Sequence, residues 1–356
     1  MAISAAETEQ LREAVRDLLA DRCTEADVRR TMATEPGYDP ELWKQLAELG
    51  LPGLVIATGY GGVGLGAEEL EAVSEEIGAA LVPSPFLSSS VLTATLIDAA
   101  GTEEDKRRLL PALADGSSIG TVAVTGPTGS WTPEGVAVQE NGTLTGTASY
   151  VTFGQLADVI LVVARTGDDI GVFEVAPDAS GFQRTAAEVF DPTVRLSQFA
   201  FADTPARRVG TAGWEAVRKA LDLSTIALAG EQAGGARKIF ETTVEYLKTR
   251  VQFGRAIGSF QAMKHLAADR LLDVESATSA ARHAAADGSP GAIALAGFAC
   301  AEAYETVALS AIQMHGGIGF TWEHPAHLYL RRARSGAQLF GGSRLHRERY
   351  LVSKGA

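Results

Sequence analysis

The run Tyr-Leu-Lys-Thr-Arg-Val-Gln-Phe-Gly-Arg-Ala-Ile-Gly-Ser-Phe-Gln at 246–261 gathers side chains that could hold a charged ligand. Arg250 offers a planar fork matched to phosphate oxygens. Gln261, like Gln313 further on, can present both a donor and an acceptor. Gly316 and Gly317, within Gln-Met-His-Gly-Gly-Ile-Gly-Phe at 313–320, let backbone approach a ligand with no Cβ in the way. A third stretch runs through Arg331, Arg332, Ala333 and Arg334 to Leu339, Phe340, Gly341, Gly342 and Ser343. Among carboxylates Glu231 stands out, in Ala-Gly-Glu-Gln-Ala-Gly-Gly at 229–235. An unpaired buried carboxylate is costly, so a glutamate on an otherwise apolar helix needs a reason. It is either a catalytic group or a structural or interface hydrogen-bonding one.

Other chemistries lack their signatures. No Gly-x-x-x-x-Gly-Lys-Ser/Thr occurs, and the glycine-rich 59–66 does not join a strand to a helix, so it reads as a structural turn. The six histidines form no His-x-x-x-His pair, and metal catalysis is not expected. Cys23 and Cys300 lie far apart without clustering, which suits two reduced thiols in packed helices. With 31 basic against 44 acidic side chains the formal charge is 31 − 44 = −13, which argues against a duplex nucleic-acid binder. The N-terminus has neither a basic nor an apolar leader region. No uncharged apolar run of about 18 residues appears, so no membrane span is expected and the cytoplasm is the default location.

Three zones must position these residues. Apolar spacing is helical over 1–117, with Leu11, Val15, Leu18 and Leu19 at three- and four-residue steps. Asp39 and Pro40 mark a capped helix start, and Gly50 a stop. Further helices are predicted from Glu68 to Ile77 and over 103–114. From 118 to 210 short β-branched runs at 121–125, 143–145, 159–163 and 171–175 alternate with turn residues, which predicts antiparallel strands. Helical spacing returns over 211–356, with long stretches at 213–250, 260–285 and 291–314. The chain is therefore mostly α with a β insertion. Strand and helix do not alternate, which disfavours a Rossmann fold.

Taken together, the three C-terminal stretches resemble the acyl-CoA dehydrogenases, flavoenzymes that place a double bond between Cα and Cβ of acyl thioesters. The likeness extends to Trp43 and Leu49-Gly50-Leu51, to the loop from Tyr60 to Gly66, to Gly101-Thr102-Glu103-Glu104-Asp105-Lys106, and to Gly146, Tyr150-Val151-Thr152, Ala157-Asp158 and Val163-Ala164-Arg165. It implies an N-terminal helical domain (1–117), a central antiparallel β domain (118–210) and a C-terminal four-helix bundle (211–356), assembled as dimers or tetramers around FAD. It also implies an acyl-CoA substrate and electron-transfer flavoprotein as the electron acceptor. Carried over by motif, FAD contacts fall on Arg250, Gln252, Phe253, Ile257, Gln261, Gln313, Gly316, Gly317, Gly341 and Gly342. In the family, the Arg, Phe and Gln positions and the Gln-x-x-Gly-Gly segment serve a neighbouring subunit's FAD. On the chain's own side Thr125 and Thr152 persist, while the surrounding segments, Thr-Gly-Pro-Thr-Gly-Ser-Trp at 125–131 and Ala-Ser-Tyr-Val-Thr at 148–152, depart from the family pattern.

The reaction needs a carboxylate to take the α-proton while the β-hydride leaves for the flavin. One family position for that base falls on Phe340 and the other on Ser224, so both usual bases are missing. Glu231 follows Ser224 by seven residues, about 10 Å along a helix. Three readings remain: a subunit of a heteromeric dehydrogenase, which supplies FAD contacts to a homologous base-bearing partner; a self-sufficient homo-oligomer using Glu231 or another base; and a non-catalytic binding module on the same fold. Ser343, Arg344 and His346 are further candidates for ligand contact.

Overall fold

Helix ends fall where side chains can satisfy orphan amides in the computed structural model, which describes residues 3–355. The N-terminal part holds α1 (Ala5–Arg22), α2 (Glu25–Met32), α3 (Pro40–Glu48), α4 (Ala67–Ala79), a π-helical turn (Leu87–Thr93) running into α5 (Ala94–Ala100), and α6 (Glu103–Ala114). Asp39 caps α3 by accepting from the amides of Glu41 at 2.9 Å and Leu42 at 3.3 Å, and Gly50 follows its end at φ +78°. Thr102 and Asp105 cap α6 reciprocally. Strands follow: β1 (Gly120–Ala123), β2 (Gln139–Glu140), β3 (Leu144–Thr152), β4 (Val159–Thr166), β5 (Asp169–Val175), β6 (Phe182–Ala186), β7 (Leu196–Thr204) and β8 (Arg207–Arg208). The C-terminal part holds α7 (Trp214–Thr249), a hairpin of β9 (Val251–Gln252) and β10 (Arg255–Ala256), α8 (Gln261–Asp287), α9 (Pro290–His315), α10 (Ala326–Gly336) and α11 (Gly342–Ser353). The mostly helical fold with a central β region agrees with the sequence reading.

Contacts divide the chain into two compact units, one of residues 29–66 and 83–224, the other of 4–28, 67–82 and 225 onward. In the first, the strands form one sheet in the order β6-β7-β3-β2-β4-β5-β8, with β1 also on β4. The sheet is mixed rather than purely antiparallel, because β1 and β2 run parallel to β4. The long excursion from β1 to β4 permits this, whereas a tight hairpin would force an antiparallel pair. Every residue of β1 and the first six of β4 are buried, as central strands covered on both faces require. Phe182, Phe199 and Phe201 pack at ring separations of 5.0 and 5.3 Å about Phe182. Arg195 donates to the carbonyls of Met32 (2.9 Å), Thr34 (2.6 Å) and Pro192 (2.8 Å), fixing the segment after α2.

In the second unit α9 is the central element, packed by α8, α10 and α11, with α1 on α4 and α4 on α8. The stretch Pro290–Phe320 is long and apolar enough by composition to cross a membrane. Yet it carries Glu302 and Glu305 and serves as the core helix of this bundle. Cys23 and Cys300 are buried free thiols. Where α4 meets α7, a Cβ at Gly234 would lie 1.8 Å from the Glu75 carbonyl oxygen, and one at Gly78 would lie 1.9 Å from that of Glu231. Beside this contact a charge cluster is buried. Glu75 meets Arg12 and Arg237, with Arg282 at 3.2 Å, and Glu76 binds Arg16 at 2.9 Å. Burial works against ionisation of Glu75, but these arginines outweigh it and hold its carboxyl below the usual range. Glu71 meets Arg12 at 3.8 Å, and one of its carboxylate oxygens has no hydrogen-bond partner among the described residues. Desolvation and the neighbouring Glu75 push it from 4.5 up to about 7.

These two facts set opposite pH dependences. A carboxyl with a raised folded pKa stabilises the fold at low pH and loses that contribution as pH rises through about 7. Thermal unfolding of Glu71→Gln relative to wild type is therefore expected to improve progressively between pH 4.5 and 7. His346 is shifted the other way, to about 4, by burial and Arg349. Its contribution is complete above about 6.5 and is lost as pH falls through about 4, so His346→Gln should show its gain only on the acid side.

Candidate functional site

Arg250 stands just beyond α7, its amide 2.9 Å from the Tyr246 carbonyl and its own carbonyl 2.8 Å from the Ile257 amide. Between these residues β9 and β10 form a two-residue hairpin whose turn, Phe253 (φ +52°) and Gly254 (φ +77°), has the twist that such hairpins favour. A phenylalanine in this conformation is strained, and its ring is 93% exposed. Arg255 lies over the Phe260 ring at 4.0 Å, which stiffens the approach to α8. Arg250, Gln252 and Gln261 are exposed, and Ile257 is half-buried.

A second segment closes α9. Gln313 points outward from its last turn, and Gly316 (φ +66°) begins a 3-10 turn, Gly316–Phe320. His315, the last residue of α9, stacks on Tyr246 at 4.5 Å and packs against the tilted His324 ring at 4.2 Å. The Tyr246 hydroxyl also lies 3.5 Å from the His315 carbonyl. The two stretches that sequence singled out thus meet through one aromatic stack. Gly317 adds an informative detail: its φ is not positive, and a Cβ there would meet nothing within 4 Å among the described residues. Neither the backbone nor a neighbour within the chain requires glycine at this position. A ligand seated against it would.

The two positions at which the family resemblance would place a base are closed. Ser224 is fully buried and donates its hydroxyl to the Ala220 carbonyl at 2.7 Å. Phe340 is 2% exposed at φ +57°, followed by Gly341 at +122° and Gly342 at +63°. Among the later candidates Arg344 is exposed and pairs with Glu348 at 3.1 Å, Ser343 is half-buried, and His346 is buried. In the first unit Thr125, two residues beyond β1, and Thr152, the last residue of β3, are both buried; the Ser149 amide donates to the Thr125 carbonyl (2.8 Å) and the Thr121 hydroxyl to the Thr152 carbonyl (2.7 Å). Between them the ladder of β3 with β7 breaks from Ala148 to Val151, and Tyr150, at φ +58°, turns outward. A cavity of about 820 Å³ between α1, α4, α7 and α10 contains none of these residues.

Glu231 has a partner that sequence reasoning missed. Its carboxylate lies 2.5 Å from the Arg332 guanidinium, which also donates to the Val82 carbonyl at 3.3 Å, and both side chains are buried. The only available signal was that one acid on α7 and one Arg-Arg pair on α10 each lacked an explanation. The pairing commits a Glu231 carboxylate oxygen to the guanidinium rather than to an open site. Breaking a buried pair strands a charge and costs about 3–5 kcal/mol, whereas removing both partners is far milder. Arg332→Met should therefore lower the unfolding midpoint sharply, and Glu231→Gln combined with Arg332→Met should recover most of the loss in a denaturant titration.

The comparisons with known proteins cover both ends of the chain. Residues 5–117 match the sequence model of the acyl-CoA dehydrogenase N-terminal domain, and residues 211–351 that of the acyl-CoA dehydrogenase C-terminal domain. Acyl-CoA dehydrogenase IpdE2 of Mycobacterium tuberculosis is 36% identical over 341 residues, 95% of this chain and 94% of that one. Two solved structures resemble the fold closely. One is the ChsE4-ChsE5 complex of Mycobacterium tuberculosis, with TM-score 0.90, 31% identity, and 99% of this chain and 98% of that one covered. The other is a variant of the Tcur3481-Tcur3483 steroid acyl-CoA dehydrogenase, with TM-score 0.87, 31% identity and 98% of each chain covered. With two domain models in the expected order and relatives of this identity along nearly its whole length, the chain belongs to the acyl-CoA dehydrogenase family, oxidoreductases built on a FAD-binding fold.

Proposed function

We propose that this protein is the base-lacking subunit of a heteromeric acyl-CoA dehydrogenase, whose 250–261 and 313–317 segments hold the FAD of a homologous, base-bearing partner. When bound, FAD supplies the acceptor for the hydride that leaves the acyl β-carbon. The observation that carries the reading is the outward construction of those segments. Arg250 and the glutamines Gln252, Gln261 and Gln313 are exposed, Phe253 is almost wholly uncovered, and Gly317 leaves an open face that the chain's own described residues do not use. Arg250 would pair with pyrophosphate oxygens through charge-assisted hydrogen bonds. Gly316 and Gly317 would admit the cofactor close to backbone, and Gln261 and Gln313 would donate and accept at its polar edge.

The closed base positions support the same reading. Phenylalanine cannot accept a proton, and the Ser224 hydroxyl is committed to its own helix. Likeness to two complexes of paired chains, one described as a steroid acyl-CoA dehydrogenase, favours a homologous partner and a steroid-derived acyl-CoA thioester. Electron-transfer flavoprotein is the electron acceptor we infer from family membership. The cytoplasm suits the two free thiols. A homo-oligomer using Glu231 is the second reading, and the pairing with Arg332 disfavours it.

Co-purification with a base-bearing homologue is expected to yield a yellow complex with one FAD for each pair of chains and acyl-CoA-dependent bleaching. Arg250→Gln should weaken FAD retention by about tenfold or more, the value of a strong charge-assisted contact. Glu231→Gln should leave bleaching intact. A homomer that is fully flavinated and turns over acyl-CoA, and loses turnover with Glu231→Gln, would establish the second reading instead.

A further inference from the structure

His315 is 4% exposed, and its ring is held on every side. Nδ1 lies 2.8 Å from the Ala311 carbonyl, which can only accept, so Nδ1 carries the hydrogen and Nε2 keeps its lone pair. That Nε2 is buried without a hydrogen-bond partner among the described residues. Protonating it would create a buried cation with an unsatisfied donor, and burial accordingly holds the group below the ordinary histidine value despite the Ala311 bond. Tyr246 stacks on one face with an interplanar angle of 30°, and His324 packs at 4.2 Å from the segment after the turn. Gly319 folds the 3-10 turn over it, since a Cβ there would come within 2.9 Å of the His315 Cβ. Tyr246 and His324 are the titratable groups facing the ring; the turn itself, Gly-Gly-Ile-Gly-Phe, brings none.

Tyr246 also receives the Arg250 amide on its carbonyl, one helical turn away. The ring stack is therefore the joint between the arginine at the end of α7 and the open glycines at the end of α9. We propose that His315 is a positioning residue for the cofactor's phosphate end: a neutral, single-tautomer imidazole wedge that keeps Arg250 in register with Gly316 and Gly317. The proposal rests on the reading that these segments hold FAD, and it adds a requirement which that reading does not contain. Arg250 supplies the charge, but charge delivered by a long side chain is worth little unless its backbone is held in place.

The test uses the heteromeric complex and the free chain in parallel. In the complex, His315→Ala should raise the FAD dissociation constant by about tenfold, the scale of a lost aromatic stack. Its kcat at saturating FAD should be unchanged, and His315→Phe, which restores the stack, should recover most of the affinity. If the alanine variant does not assemble, Tyr246→Leu removes the same stack from the other side and should give the same loss. In the free chain, nitrogen-15 NMR of labelled histidine should show His315 as the Nδ1–H tautomer, with its titration displaced below the ordinary 6.5. Titration near that value, or FAD affinity within twofold of wild type for His315→Ala while Arg250→Gln loses it, overturns the proposal. If Arg250→Gln binds FAD as wild type does, the reading of the segments as a cofactor site fails first.

Discussion

Backbone lies against backbone where α4 meets α7, at Gly78, Gly230 and Gly234, and no side chain larger than hydrogen fits at these points. Helix α7 is 36 residues long, about 54 Å, so whatever holds its middle sets the position of its end. The same contact lays Glu231 beside Arg332 and carries Tyr246 to His315. Glycine contacts contribute little transfer energy and cannot choose a register by themselves. The cluster of Glu75 and Glu76 with Arg12, Arg16 and Arg237 supplies the selectivity. A one-turn slip would leave a fully buried carboxylate without its guanidinium, and the penalty for that exceeds what a well-formed buried pair contributes.

From that anchor the chain shows a division between surfaces that open outward and sites that are shut. The 250–261 and 313–317 segments leave charge, an aromatic ring and bare glycine backbone uncovered, an arrangement costly in isolation and explicable when another molecule completes it. At Phe340 the reverse holds. A large apolar side chain is buried at a left-handed backbone position, and two glycines follow with positive φ. Strain of that kind costs about 1–3 kcal/mol and persists only where surrounding packing enforces it. An acidic group at this buried point would face a desolvation penalty of the kind that raises the Glu71 pKa.

The two glutamates on these helices illustrate how a carboxylate's role depends on its neighbours. Glu231 carries a close guanidinium, whereas Glu71 lies beside Glu75 with Arg12 at 3.8 Å and has its pKa raised to about 7. Both have the same side chain and similar burial. What separates them is a partner about 100 positions away in the chain, and local pattern contains no information about such a partner.

That contrast marks the boundary of what could be read from residue order. The cap at Asp39, the helix over 103–114, the long helices α7, α8 and α9, and the four β-branched runs were legible, because each depends on neighbours within a few positions. The family was legible for the same reason, since the stretches at 246–261 and 313–320 that carry the resemblance are short and continuous. Strands β6 and β7 were not called, since their turn-rich surroundings mask a weak alternation, and the parallel pairing of β1 with β4 depends on a crossover that no local signal records. Folding alone decided that Arg332 neutralises Glu231, that Tyr246 and His315 join two motifs 69 positions apart, and that Phe340 is sealed inside. Hydrogen bonds, ion pairs and ring stacks act over a few ångströms of space, whatever distance along the chain separates the residues that make them.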